Sequence, residues 1–335
     1  MSEPESRLVV IAGSGRSGTT FLAKLFDSSP EVLYRHEPDS VLRRPEIPFH
    51  PDAGDVEAHA DAMRDYLGAL MAANQARCAA TTPTFPKSFR SPAGNWLHRA
   101  LVYGSKLPPW GKDPALRVPD CLRMPPPVTV IKTVDSLCRL RLMARARPDA
   151  RFLHIVRHPC AVAASVAEGH RLGLMKGGAF LDAVFAMPEA AGYPFDKADI
   201  AARSPAEQVA FKWMVQNDKT HAEMAGGDSY RLVSYERLCV TLRAELTALF
   251  AHAGVAGNPQ TDRFLDRLEQ TRSAGRRYFS VVRNPRSGLF KWRQRLPAGT
   301  VAAIEAMVQH SAVGRLCLAA AAEAERAVDA SAGCS

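Results

Sequence analysis

The chain has 335 residues, 47% of them hydrophobic, and 43 Lys and Arg against 34 Asp and Glu leave a net charge of +9. That excess suits an anionic partner such as a nucleotide, but no Lys/Arg run reaches the length of a nucleic-acid tail and no charge-free apolar run reaches membrane-spanning length. The cysteines at 78, 121, 138, 160, 239, 317 and 334 form no CxxC pair and no Cys/His spacing for zinc, which argues against a metal cluster or a disulfide framework and for reduced thiols in a cytosol.

Residues 7–26, RLVVIAGSGRSGTTFLAKLF, read as strand, tight glycine turn and helix. The apolar run Leu8–Ile11 stops at Gly13, and Phe21, Leu22, Leu25 and Phe26 recur at helical spacing. Nothing ahead of this strand reads as a signal peptide, so a cytoplasmic protein without a membrane anchor is expected. A turn of this kind aims backbone N–H groups and a helix N-terminus at one spot, which suits a phosphate or sulfate. The candidate anion ligands are Gly15, Arg16, Ser17, Gly18, Thr19 and Thr20. Gly13 and Gly18 have Walker A spacing, but Thr19 stands where that motif needs lysine, and Arg16 is the loop's cation.

Val32–Tyr34 suggest a second strand, with His36, Glu37 and Pro38 just past its end. Ligand groups of open parallel sheets gather there. Either His36 or Glu37 is a candidate base: histidine has the convenient pKa, whereas glutamate needs a raised one or firm positioning. Residues 54–78 read as helical, and 79–127 are rich in proline, serine and arginine with little periodicity, a length of loop that is usually functional. VTVIKTV (128–134) is a strand ending at Lys132, and the arginines from Arg139 to Arg147 read as the solvated face of a helix.

RFLHIVRHPCAVAASV (151–166) reads as a buried strand ended by Arg157, then a helix with Pro159 in its first turn and Ser165 two turns along. Residues 170–203 read as irregular and 205–226 as a helix holding Trp213 and Asn217. YRLVSY (230–235) reads as another strand, 236–253 as a helix, and the alanine-rich 298–330 as terminal helices without chemistry. Strands alternating with helices imply an α/β fold with a parallel sheet and right-handed crossovers.

Taken together, RSGTT, the Arg157–Pro159 turn with Ser165, and Lys132–Thr133 resemble sulfotransferases that use 3′-phosphoadenosine 5′-phosphosulfate (PAPS). The resemblance runs from about residue 7 to 295. RSGTT is similar to the family's 5′-phosphosulfate loop, in the arginine form of the carbohydrate-type and bacterial branch rather than the KSGTT of the cytosolic aryl and steroid branch. It implies a P-loop-type parallel sheet in a three-layer α/β/α arrangement and one domain over 1–335. Residues 54–127 would bind the acceptor, and 298–335 would be a C-terminal helical segment.

Arg157 and Ser165 match the family's 3′-phosphate ligands, with His158 where aspartate is usual. Lys132-Thr133 match its K-T-H, but Val134 replaces the histidine that serves as base in the cytosolic branch. The HEP tract therefore makes Glu37 the expected base, with His36 as the alternative and Asp135 behind them. VSYERL places Tyr235 near the adenine, and RSGLFKW makes Arg286 a candidate 3′-phosphate ligand in competition with Arg276, Arg277 and Arg283. The implied reaction moves a sulfuryl group from PAPS to a hydroxyl of a carbohydrate, glycolipid or secondary-metabolite alcohol and releases 3′,5′-ADP. No metal and no nucleic acid is expected. A kinase-like phosphotransferase and a non-enzymatic nucleotide-binding module are the alternatives.

Overall fold

Unbroken apolar runs become strands buried on both faces, as parallel sheets require. The computed structural model describes residues 6–108, 113, 115–174, 180–271 and 284–332. Arg276, Arg277, Arg283 and Cys334 lie outside them. The strands are β1 (Arg7–Ala12), β2 (Val32–His36), β3 (Val128–Thr133), β4 (Arg151–Val156) and β5 (Tyr230–Ser234). Their order is β2-β3-β1-β4-β5 and every neighbouring pair is parallel.

In chain order the helices are α1 (Thr19–Asp27), α2 (Ala53–Ala58), α3 (Ala60–Ala72), α4 (Ala76–Ala79), α5 (Pro92–Gly104), α6 (Leu140–Ala146), α7 (Pro159–Arg171) and α8 (Leu181–Phe185). They continue as α9 (Lys197–Ala201), α10 (Pro205–Met224), α11 (Tyr235–Val240), α12 (Leu242–Ala253), α13 (Pro259–Gln270), α14 (Ala298–Val308) and α15 (Ala312–Ala332). Alternation along each strand sorts them into layers. Val9, Ile11, Val130, Leu153 and Ile155 pack under α1, α12 and α13 on one face. Leu8, Val10, Ile131 and Phe152 meet α3 and α6 on the other. A further cluster joins Val156 and α7 to α10 and α14. Among the described residues no helix is long and apolar enough to cross a membrane.

The structure departs from the sequence reading in several places. The stretch 79–127 contains α5, whose N-cap Ser91 accepts from the Gly94 N–H and whose Pro92 opens the first turn. The described part of 170–203 holds α8, α9 and a 3₁₀ turn at Pro188–Gly192, and Asp196 and Asp199 cap α9 reciprocally. The helix expected over 236–253 breaks at Thr241 into α11 and α12. Helix α13, capped by Asn258, is an element beyond those expected from the sequence. His36 is the last residue of β2 rather than beyond it. Arg139 is no solvated residue: it is 2% exposed, donates to the carbonyls of Ile47 and Pro48, and stacks on Phe49. Arg145, farther along α6, does face solvent, where it pairs with Glu57.

Candidate active site

The loop between β1 and α1 is shaped by two close approaches that only glycine permits. A Cβ on Gly13 would lie 2.4 Å from the Ile155 carbonyl oxygen of β4. Gly18 caps α1 at φ 94°, and a Cβ there would lie 2.2 Å from Cδ2 of Tyr235. The loop is thus pressed between a strand and an aromatic ring. Arg16 sits at φ 74°, a left-handed conformation that non-glycine residues hold only where their surroundings enforce it.

Those surroundings are the other residues singled out from the sequence. Arg16 Nε donates to Ser165 Oγ at 2.9 Å, across 149 residues of chain. Arg157 Nη1 donates to the Arg16 carbonyl at 3.2 Å, and its guanidinium lies 4.6 Å from the centre of the Tyr235 ring. So Arg16, Gly18, Arg157, Ser165 and Tyr235 form one group at the carboxyl ends of β1 and β4. Within and beside it, two atoms, Arg157 Nε and Ser17 Oγ, are buried without a hydrogen-bond partner among the described residues. Thr19 is buried, Thr20 half-buried and Gly15 exposed.

Sequence reasoning missed the scaffold beneath this group. Asn217 on α10 donates to Ser14 Oγ at 2.9 Å and to the Trp213 carbonyl. Its Oδ1 pairs with His154 Nε2 at 2.8 Å, His154 Nδ1 with the Tyr230 hydroxyl at 2.8 Å, and that hydroxyl with His221 Nδ1 at 3.1 Å. Burial pushes His154 down to about 4, so its ring is neutral. One direction then satisfies every group: His221 donates to Tyr230, Tyr230 to His154, and His154 to Asn217. The sequence places Asn217 only on a helix, because its partners are far off in the chain.

The turn after β4 has its own support. Glu236, fully buried, accepts the His158 N–H at 2.9 Å. Burial raises its carboxyl while Arg157 pulls it the other way. His158 Nδ1 accepts from the Cys160 N–H and caps α7, the task an aspartate would do at this position. Burial, with Arg293 and Arg157 nearby, holds His158 at about 3, which leaves Nδ1 unprotonated for that role. Its ring stacks on Trp292 at 4.4 Å, so the RSGLFKW segment does reach this turn. Arg286 does not join the group: it is exposed, and its guanidinium donates to the Val240 carbonyl at the end of α11, 2.8 Å away.

A second group sits one strand over. The β2–β3 register sets His36 opposite Lys132. Glu37 N–H donates to the Lys132 carbonyl at 2.8 Å, and the Lys132 ammonium is ion-paired with the Glu37 carboxylate. Glu37 is another left-handed residue, at φ 44°. Burial works to raise its carboxyl, but Lys132 and then His36 overcome this and hold it below the ordinary value. The raised pKa that a glutamate base would favour is therefore absent; what the structure supplies is firm positioning. Burial lowers Lys132 and Glu37 opposes it. His36 Nδ1 shares a hydrogen bond with the Tyr34 hydroxyl at 2.7 Å, and burial followed by Lys132 pushes His36 down to about 4.

Asp39, which the sequence did not flag, ties this corner together. Its Oδ2 accepts from the Thr133 and Ser136 hydroxyls, so the 3₁₀ turn after Glu37 is stitched to the end of β3. Chemically, the two groups offer an anion-binding loop, cations at the ends of three adjacent strands, and an ionised carboxylate held beside one of those cations.

Among curated proteins none matches the chain. Among solved structures, it is similar to the sulfotransferase domain of the olefin synthase of Synechococcus PCC 7002, at 18% identity over 91% of this chain and 96% of that one, with a TM-score of 0.42. It is also similar to the sulfotransferase STF9 of Mycobacterium avium, at 16% identity over 91% of this chain and 76% of that one, with a TM-score of 0.44. The mouse sulfotransferase SULT7A1, solved in complex with PAP, is similar at 13% identity over 94% of this chain and 89% of that one, with a TM-score of 0.41. The model of the sulfotransferase family matches residues 9–260, a span that takes in the β1–α1 loop, the Lys132–Glu37 pair and the Arg157 turn, and by that match the chain belongs to the sulfotransferase family.

Proposed function

We propose that this sulfotransferase takes its sulfuryl group from PAPS and transfers it to a hydroxyl acceptor by in-line displacement. The observation that carries the reading is the convergence of Arg16, Ser165 and Arg157 at the β1–α1 loop, where the Ser17 hydroxyl and Arg157 Nε are buried without partners among the described residues. Buried polar atoms of that kind call for a ligand, and these residues fit a doubly anionic nucleotide. The lysine missing after Gly18 weighs against ATP.

PAPS, when bound, supplies the sulfuryl group and a good leaving group, 3′,5′-ADP. In this reading the N–H groups from Gly15 to Thr20 and the hydroxyls of Ser17, Thr19 and Thr20 hold the 5′-phosphosulfate. Arg157 and Ser165 select for the 3′-phosphate, and Tyr235 forms the wall between Gly18 and Arg157. Arg16 and Lys132 stabilise the negative charge that grows on the transferring and leaving oxygens, where preorganised cations contribute most. Glu37 accepts the acceptor's proton on its carboxylate. Lys132 keeps that carboxylate ionised, and His36, neutral and bonded to Tyr34, stands beside it. The acceptor is a carbohydrate, glycolipid or secondary-metabolite alcohol, received by the segment 54–127.

The test is direct. The protein is incubated with labelled PAPS and an extract of its own host, and products are screened by mass spectrometry for an added sulfate. A labelled product that depends on the protein is expected. Hydrolysis or inertness across all extract fractions would refute the transfer.

A further inference from the structure

Beside β2, one of the two edge strands of the sheet, lies a small cleft, open to solvent, with a cavity volume of about 30 Å³. Its walls include Tyr34 and Arg35 of β2, Asp27 at the end of α1, Lys87, Arg90 and Asp120. All of these but Tyr34 are charged, and their charges do not cancel. Asp120 is matched by the fork of Arg35, Nη1 donating to Oδ1 at 2.8 Å and Nη2 to Oδ2 at 2.5 Å. Asp27 is shared by Lys24 at 2.7 Å and Lys87 at 2.9 Å. Lys24 spends its other bonds on Thr81 and the Pro83 carbonyl, and Lys87 on the carbonyls of Asp27 and Ser29.

That leaves Arg90. It is 6% exposed and makes no direct ion pair among the described residues, although Asp120 and Asp27 lie near enough to oppose part of its burial. Its Nε donates to the Asp120 carbonyl, its guanidinium lies 5.5 Å from the centre of the Phe89 ring, and its terminal nitrogens meet no acceptor among the described residues. Four cations, Lys24, Arg35, Lys87 and Arg90, thus stand against two carboxylates. Burying uncompensated charge is costly unless a counter-ion is present. Burial pulls Lys87 down to about 8 against the opposing pull of Asp27, and lowers Arg90 against that of Asp120 and Asp27. The cleft also adjoins the second group of the active site, because the Tyr34 hydroxyl that bonds His36 belongs to a residue of its wall.

We infer that the acceptor is itself anionic, and that its carboxylate or phosphate group is seated in this cleft on the open fork of Arg90 while its hydroxyl meets Glu37. A guanidinium with free terminal nitrogens matches two oxygens of such a group side by side, which a neutral sugar or phenol does not offer. This inference rests on the assignment of Glu37 to the acceptor hydroxyl, and its test separates the two.

Thermal unfolding is followed at fixed ionic strength with the nucleotide loop saturated by 3′,5′-ADP, while sodium acetate or neutral acetamide is added. Acetate is expected to give a saturable rise in Tm and acetamide none. In Arg90→Gln the apparent affinity for acetate should fall roughly tenfold or more, the weight of a charge-assisted hydrogen bond, while the rise caused by 3′,5′-ADP persists. Arg90→Lys keeps the charge without the fork; it should also weaken acetate, and it guards against a Gln variant that does not fold. No saturable acetate effect in the wild type, or an undiminished one in both variants, overturns the site.

The acceptor found with labelled PAPS decides the rest. It should carry a carboxylate or phosphate, and acetate should raise its KM with kcat unchanged. A neutral acceptor whose KM ignores acetate overturns the inference even if acetate binds. If 3′,5′-ADP itself gives no rise, the donor reading fails separately, and the acetate titration still reports on the cleft.

Discussion

Glu37 illustrates how a side chain can be suited to proton transfer without a raised pKa. A base must be unprotonated and must be in place. The ion pair with Lys132 secures the first condition, and the backbone bond from Glu37 to the Lys132 carbonyl secures the second. Glu37→Gln keeps the shape and removes the proton acceptor, so turnover should fall by about 10²–10⁴-fold with 3′,5′-ADP affinity near wild type. His36→Ala should cost much less; steady-state rates and calorimetric titration check both, and a reversed order would make His36 the base. The pH profile follows from the same geometry. Glu37 is depressed in the folded protein, so its base form is present above its folded pKa and is lost as pH falls through it. The acid limb of kcat/KM should therefore lie below 4.5, the ordinary glutamate value; a His36 base, held at about 4, would fall in the same range, so the profile tests the depression and the two variants tell the residues apart. Arg16 makes a different prediction, because its proposed partner is the group transferred. Arg16→Ala should lower turnover far more than 3′,5′-ADP affinity, and Arg16→Lys should keep part of the activity while losing the fork. A turnover number unchanged in Arg16→Ala would leave the loop a structural feature.

At the scale of elements, the site is a junction between α1, α7 and α11 that Gly18 and Tyr235 hold closed. Gly18→Ala forces a side chain into the left-handed region, at about 1–2 kcal/mol, and drives its Cβ into the Tyr235 ring. The first penalty is local and the second is shared. Thermal melts of Gly18→Ala, Tyr235→Ala and the double variant should therefore show coupling, with the double variant more stable than the sum of the single losses implies. Additive losses would mean that the ring moves aside freely. Much of this junction was legible from sequence because it is local: the glycine turn, the Arg157–Pro159 junction and the strand ending at Lys132 each occupy a few consecutive residues. What was not legible is long-range. Nothing near Asn217 says that it reaches Ser14, 203 residues away, and nothing near Asp39 says that it meets Thr133. Arg139 misled for the same reason, since the carbonyls of Ile47 and Pro48 that satisfy it are distant in the chain. Helices α5 and α13 carried caps and first-turn prolines at Ser91-Pro92 and Asn258-Pro259, and in α13 Thr261, Phe264, Leu265 and Leu268 recur at helical spacing, so both were legible in the sequence.

At the scale of the whole molecule, the strand order places β1 at the centre, with β3 and the Lys132–Glu37 pair on one side and β4 with the Arg157 turn on the other. Ligands of open α/β sheets lie at the carboxyl ends, where successive connections run to opposite sides. Here that place sets the proposed donor loop between the residues assigned to the 3′-phosphate and those assigned to the acceptor. The account stands or falls on whether the Arg157 side reads a 3′-phosphate. Calorimetric titration of 3′,5′-ADP and 5′-AMP into the wild type and Arg157→Ala measures it. The wild type should strongly prefer 3′,5′-ADP, and Arg157→Ala should erase most of that preference, a loss of about 1.5–3 kcal/mol for a charged hydrogen bond. Equal affinity of the wild type for the two nucleotides would contradict the assignment.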